Sequence, residues 1–192
     1  MEHEKGFLEN VYSKIRTYRL KRFVGDAVSL LISNDPLPFI DIERAEYLII
    51  KRPANDGWKP NYFSPVTGCI EEKDIKNLRM LPPPWDEERL YIEAGRREFR
   101  EEIIREPSAY NLRYVGKYHD NETGYNVVVL TGDIYGIGTT PEKVVVPRAK
   151  GTDESPEVHW MPVKQIKQLI EEEKFAGKKS FEIVIQDFQR FV

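Results

Sequence analysis

The sequence predicts a mixed α/β domain, and three observations carry that prediction. Short β-branched apolar segments recur along the chain, as in FVGDAVSLLIS (23–33) and YNVVVLTGDIYG (125–136), each suited to a buried strand. Segments of helical period stand among and after them, at 86–105, 163–173 and 180–191. Prolines and glycines mark the junctions, so strands and helices are interleaved, with two helices at the C-terminal end.

Taken in order, residues 7–20 mix apolar and basic side chains and suit a short helix or an extended arm. FVGDAVSLLIS and AEYLIIKR (45–52) are strands, with the proline-containing NDPLPFIDIER turning between them. NDGWKPNYF (55–63) is a loop leading into SPVTGCIEE. In the following stretch, Pro82 to Pro84 forbid a continuous helix. A helix is expected from Trp85 or Asp86, with Asp86 as N-cap and Glu87 and Glu88 in the favourable first turn. It should end near Arg105, because Pro107 disfavours helical geometry at Glu106. Ile92, Phe99 and Ile103 form its core stripe, while Ala94 and Gly95 permit a close neighbour. LRYVGKYH (112–119) and the segment 125–136 pair through the turn DNETG. KVVVP (143–147) is a further strand or extended loop, and EVHWMP (157–162) a short strand.

Composition narrows the function classes. At 192 residues, with 40% apolar and 11% aromatic side chains, residues 1–192 can form one domain with a real core. A net charge of −3 and a pI near 5.8 give no basic excess, so nucleic acid is not the default partner, although KIRTYRLKR (14–22) is locally basic. The single cysteine, Cys69, excludes an intramolecular disulfide and a cysteine metal cluster. The first ten residues lack the apolar stretch of a signal peptide, and no apolar run approaches membrane-spanning length. The expectation is a cytoplasmic protein with no membrane partner, its oligomeric state open and a homodimer among the options.

The densest chemistry lies in REFREEI (97–103). Glu98, Glu101 and Glu102 fall at i, i+3 and i+4 on one helix face, where like charges repel. Three carboxylates so placed can share a hard cation such as Mg²⁺ through oxygen; the competing reading is a solvated acidic face. Arg97, four residues before Glu101, can hold that carboxylate, and the backbone of Gly68 can approach a metal or phosphate because no Cβ intervenes. His119 and His159 are isolated and read as structural.

These residues resemble the Nudix hydrolase pattern G-x5-E-x7-R-E-U-x-E-E-x-G-U, where U is apolar. Arg97-Glu98-Phe99-Arg100-Glu101-Glu102 fits its R-E-U-x-E-E half, and Gly68 fits the leading glycine. Asp74 stands where the family has Glu, 22 residues separate it from Arg97 where the pattern has seven, and Ile104 replaces the closing glycine. The long spacer implies an insertion at about 75–89. The resemblance covers roughly residues 20–175, including YLIIKR before the box and the Trp-x-Pro strand EVHWMP after it, leaving 1–19 as an arm and 176–192 as a closing helix.

The resemblance implies a Nudix fold, a mixed β-sheet sandwiched between helices, and a pyrophosphohydrolase. Glu98, Glu101 and Glu102 would be metal ligands, joined by the carbonyl of Gly68, with Mg²⁺ or Mn²⁺ as cofactor. Glu101, Glu102, Arg97 and Glu154 would be the catalytic group, Arg97 orienting a glutamate and Glu154 acting as ligand or general base; Asp153 and Glu157 are the competing acids. Arg52, Trp58 and Phe63 are the candidates for contact with a small nucleotide substrate. The turn VTG (66–68) resembles that of dihydroneopterin and nucleoside triphosphate pyrophosphatases, which favours a triphosphate over ADP-ribose, a nucleotide sugar, a dinucleoside polyphosphate or capped RNA. The alternative function is a non-catalytic Nudix-fold module that binds a nucleotide or a protein.

Overall fold

A computed structural model of the chain describes residues 19–33, 45–55, 57–102, 110–133 and 157–189, with the backbone alone for Glu102 and Tyr110. The predicted segment 143–147 and the residues 7–18 of the predicted N-terminal element lie outside these ranges.

Among the described residues, seven strands form one mixed sheet: β1 (Ala27–Ser33), β2 (Glu46–Lys51), β3 (Phe63–Ser64), β4 (Val66–Cys69), β5 (Tyr110–His119), β6 (Asn126–Asp133) and β7 (Glu157–Pro162). The main path runs β3-β2-β1-β6-β5, with β4 paired to β1 and β7 paired to β2. β1 and β6 are parallel from Ala27↔Val127 to Ser33↔Asp133, and the other pairs are antiparallel. That central parallel pair explains the unbroken apolar runs in both segments, since both faces of each strand are covered.

Alternate side chains of the strands feed two cores. Val28, Leu30, Ile32, Leu48, Ile50, Val128 and Leu130 point to one face, where they meet α1 (Glu72–Met80) and α2 (Glu87–Glu102) through Ile75, Leu78, Leu90, Ala94 and Phe99. Leu31, Tyr47, Ile49 and Val129 point to the other, against α3 (Val163–Glu171) and α4 (Lys178–Gln189) through Ile166, Phe181, Val184 and Phe188. The described residues therefore form a sheet between two helical layers, the arrangement that the resemblance implies.

α2 begins at Glu87, and the Asp86 carboxylate accepts from the Arg89 N–H at 2.9 Å, the expected N-cap bond. Gly95 lies so close to the sheet that a Cβ there would stand 2.5 Å from the Leu130 side chain. Three described elements are absent from the sequence reading: the short strands β3 and β4, which it reads as a loop and a turn, and the helix α1. This helix occupies the inserted stretch, buries Ile75 and Leu78, and stops at the prolines. Arg89 then donates to the carbonyls of Pro82 and Pro84 at 2.5 and 3.0 Å, and the Trp85 indole donates to Leu81 O at 2.9 Å. The insertion is thus a packed helix with a stapled return.

Candidate active site

β4 runs antiparallel to β1 and delivers Gly68 opposite Val28, while the second half of α2 delivers Arg97, Glu98 and Glu101 to the same place. The two elements touch with no room to spare. A Cβ on Gly68 would lie 1.9 Å from the carboxyl carbon of Glu98, so only glycine admits that carboxylate.

Arg97 organises the cluster. Its Nε and Nη2 donate to the two oxygens of Asp74 at 2.7 and 3.0 Å, and Nη2 also donates to Cys69 O at 2.6 Å. Its Nη1 lies 2.5 Å from Glu98 Oε1 and 3.2 Å from Glu101 Oε2. Asp74 is fully buried and accepts a further bond from the Glu71 N–H at 2.8 Å, so both its oxygens are satisfied. This bidentate fork bridges the insertion and fixes Arg97 from the side opposite its glutamates. Lys73, from the first turn of α1, adds an ammonium 3.0 Å from Glu101 and 3.1 Å from Glu71.

The charges respond in distinct ways. Burial pushes the Glu98 carboxyl above its usual range, and the neighbouring Arg97 only partly reverses this. Slight burial raises Glu101 too, but hydrogen bonds from Lys73 and the charge of Arg97 outweigh it and hold that carboxyl below its usual value. Burial opposes the charge on Arg97, yet Asp74 and Glu98 raise its pKa beyond the ordinary arginine value. Burial, with Glu98 nearby, pushes the Cys69 thiol up.

Gly68 and Cys69 also line a cleft of about 1320 Å³. Arg52, Trp58, Lys59 and Tyr62 line it too, as do Tyr118, Asp120 and the start of α4. The Arg52 guanidinium lies 4.8 Å from the Trp58 ring centre, and its Nε donates to Trp58 O at 2.9 Å. Lys59 Nζ lies 5.5 Å from the Trp58 ring, 5.8 Å from Tyr62, and 2.7 Å from Glu122 in the β5–β6 turn. The cleft therefore reaches Gly68 and Cys69 with aromatic and cationic side chains in its lining, while Glu98 and Glu101 stand outside that lining.

No family model matches this chain, and no curated protein matches it in sequence. Solved structures do. A NUDIX hydrolase from Alicyclobacillus acidocaldarius superposes with a TM-score of 0.54 at 14% identity, over 78% of this chain and 83% of that one. The chain has the Nudix fold. Tm1382, a candidate Nudix hydrolase, gives a TM-score of 0.50 at 14% identity over 85% of this chain and 70% of that one. At such identity the likeness is one of architecture, and the chemistry rests on this chain's own residues.

Within this Nudix fold, Gly68, Arg97, Glu98 and Glu101 come together as described. Glu102 closes α2 and is described by its backbone alone, while Asp153 and Glu154 lie outside the described residues. Glu157, the third candidate acid, starts β7 opposite Lys51, whose ammonium at 3.1 Å holds its carboxyl below the usual range. Arg52 and Trp58 line the cleft. Phe63 sits on β3, edge-on to His159 with ring centres 5.6 Å apart; its carbonyl accepts from Ala176, a cleft residue, at 2.7 Å. Trp85 belongs to the first core, away from the cleft. Sequence reasoning missed Lys59, Glu71 and Lys73, none of which stands at a spacing that marks it.

Among the described residues, no three His, Cys, Asp or Glu side chains stand close enough together to enclose a metal ion. Arg97 and Lys73 lie between the carboxylates that would converge. The donor chemistry nevertheless fits a hard divalent cation. The Glu98 carboxylate oxygens stand beside the bare backbone of Gly68, in space that a Cβ would fill, and the Glu101 carboxylate shares Arg97 Nη1 with them.

Proposed function

We propose that this Nudix-fold chain is a hydrolase of phosphoanhydride bonds that depends on Mg²⁺, with Mn²⁺ as a substitute, and takes a nucleoside or pterin triphosphate. The observation that carries the reading is the Glu98 carboxylate seated against Gly68, which itself lines a cleft with aromatic and cationic side chains. Glu98, Glu101 and Glu102, with the carbonyl of Gly68, hold the ion. When bound, it neutralises phosphate charge and lowers the pKa of an attacking water.

The protein's own residues do the rest. Arg97, locked by Asp74, helps to hold Glu98 and Glu101 in register, which lessens the side-chain ordering left for the reaction itself. Trp58 offers a ring face to the substrate's heterocycle and Arg52 a charge beside it, while Phe63, bonded through its carbonyl to the cleft residue Ala176, supports the lining from β3. Glu154 serves as ligand or general base. The sequence Val66-Thr67-Gly68, part of strand β4, resembles that of triphosphate pyrophosphatases, which supports a triphosphate among the anhydrides such a cleft would accept.

The test is Mg²⁺-dependent release of phosphate or pyrophosphate from nucleoside triphosphates, dihydroneopterin triphosphate, ADP-ribose, diadenosine polyphosphates and capped RNA. Glu101→Gln and Glu102→Gln should each lower kcat by at least about 10²-fold, the scale for losing one preorganised electrostatic contact. Full activity in Glu102→Gln overturns the assignment. Binding of a panel member without turnover marks a binding module instead.

A further inference from the structure

The acidic cluster contains a cation of its own, and that cation comes from the insertion. Lys73 Nζ lies 3.0 Å from Glu101 Oε1 and 3.1 Å from Glu71 Oε2, drawing together carboxylates from two different helical elements. Lys73 is the second residue of α1, whose position is set by the burial of Ile75 and Leu78 and by the Asp74–Arg97 fork one residue further on. Its ammonium therefore reaches Glu101 because a packed helix aims it there. Its side chain is 41% exposed, so it can leave for solvent without unpacking anything. Arg97, at 9%, cannot, and its position behind the glutamates is permanent.

We propose that Lys73 is a resident counter-ion of the carboxylate cluster, which holds Glu101 until a divalent cation displaces it and so sets the affinity for that cation. The proposal rests on the reading of Glu98 and Glu101 as cation ligands. Its physical content is a competition. Glu101 cannot give the same oxygens to an ammonium and to a divalent ion, and a retained Lys73 would add like-charge repulsion at close range. Release costs two exposed ion pairs, which is a modest barrier and suits a tunable device.

The experiment is titration of the full chain with Mn²⁺ alone, followed by isothermal calorimetry and by the loss of free Mn²⁺ signal in electron paramagnetic resonance. Four proteins are compared: the parent chain, Lys73→Met, Lys73→Arg and Glu98→Gln. Thermal melts verify that each is folded. Lys73→Met keeps the stem and removes the charge, and should bind Mn²⁺ about 5- to 10-fold more tightly, the equilibrium equivalent of losing exposed ion pairs. Lys73→Arg retains the charge and should bind like the parent. Glu98→Gln should bind much more weakly.

Equal affinity in Lys73→Met and the parent, with binding lost in Glu98→Gln, overturns the proposal and leaves the cation site standing. Weaker binding in Lys73→Met also overturns it, because Lys73 would then be positioning Glu101 for the ion. Absence of Mn²⁺ binding in the parent and in Lys73→Met overturns the site and the proposal together.

Discussion

Asp74 and Arg97 show how much one pair of side chains can settle. Asp74 is fully buried, and Arg97 turns its planar fork to it while its remaining nitrogen faces the glutamates. Removing the carboxylate in Asp74→Ala leaves a guanidinium without its buried partner, and urea unfolding should register a loss of about 3–5 kcal/mol. Arg97→Lys should fail to restore the site, because an ammonium cannot span Asp74, Cys69 O and the glutamates at once. The expected result is a folded protein whose Mn²⁺ affinity falls by about 10- to 100-fold, as for other residues that orient ligands. Gly68→Ala addresses the same place from the opposite side. Its new methyl would occupy the position of the Glu98 carboxylate, so Mn²⁺ binding should weaken by a comparable ~10-fold or more while the strand pairing of β4 persists.

Among the elements, the β5–β6 turn offers a pH-dependent prediction. Slight burial raises Asp120, but bonds from the Thr123 hydroxyl and the backbone N–H groups of Glu122 and Thr123 outweigh it, and the carboxyl lies below its usual 3.8. A carboxylate depressed on folding contributes stability that is complete above the unfolded value and is lost as pH falls through the folded one. Asp120→Asn should therefore flatten the decline of Tm below about pH 4 and lower Tm at neutral pH, as followed by circular dichroism. Most elements were legible in the sequence because each writes its own period. β1 and β6 are unbroken apolar runs, and α2 carries an acid-rich first turn after an aspartate cap. α1 was not legible, because only Ile75 and Leu78 mark its buried apolar side and the three prolines dominate the reading of the segment. In the site, the helical spacing of Arg97, Glu98 and Glu101 is local and could be read directly. The closure of Asp74 onto Arg97, and the arrival of Lys59 and Lys73, depend on tertiary packing that no spacing encodes.

At the scale of the molecule, both cores share one sheet, with β1 and β6 sending alternate residues to each. Loss of either core should unfold the other. Phe99→Ala on one side and Phe181→Ala on the other should each cost about 3–5 kcal/mol. Tryptophan fluorescence and far-ultraviolet dichroism should then report a single coincident transition in both variants. The inserted helix bears on the same balance through chain statistics. Stretching the spacer before Arg97 from seven residues to 22 lengthens the loop that the Asp74–Arg97 contact must close. Loop-closure entropy grows only with the logarithm of length, so the extra residues penalise that contact by about 1 kcal/mol. Burying Leu78 alone returns about 2 kcal/mol. An interruption in the middle of the sequence pattern is thus nearly neutral for folding, and the chain is free to carry there a helix whose exposed positions after Lys73 lie outside the lining of the cleft.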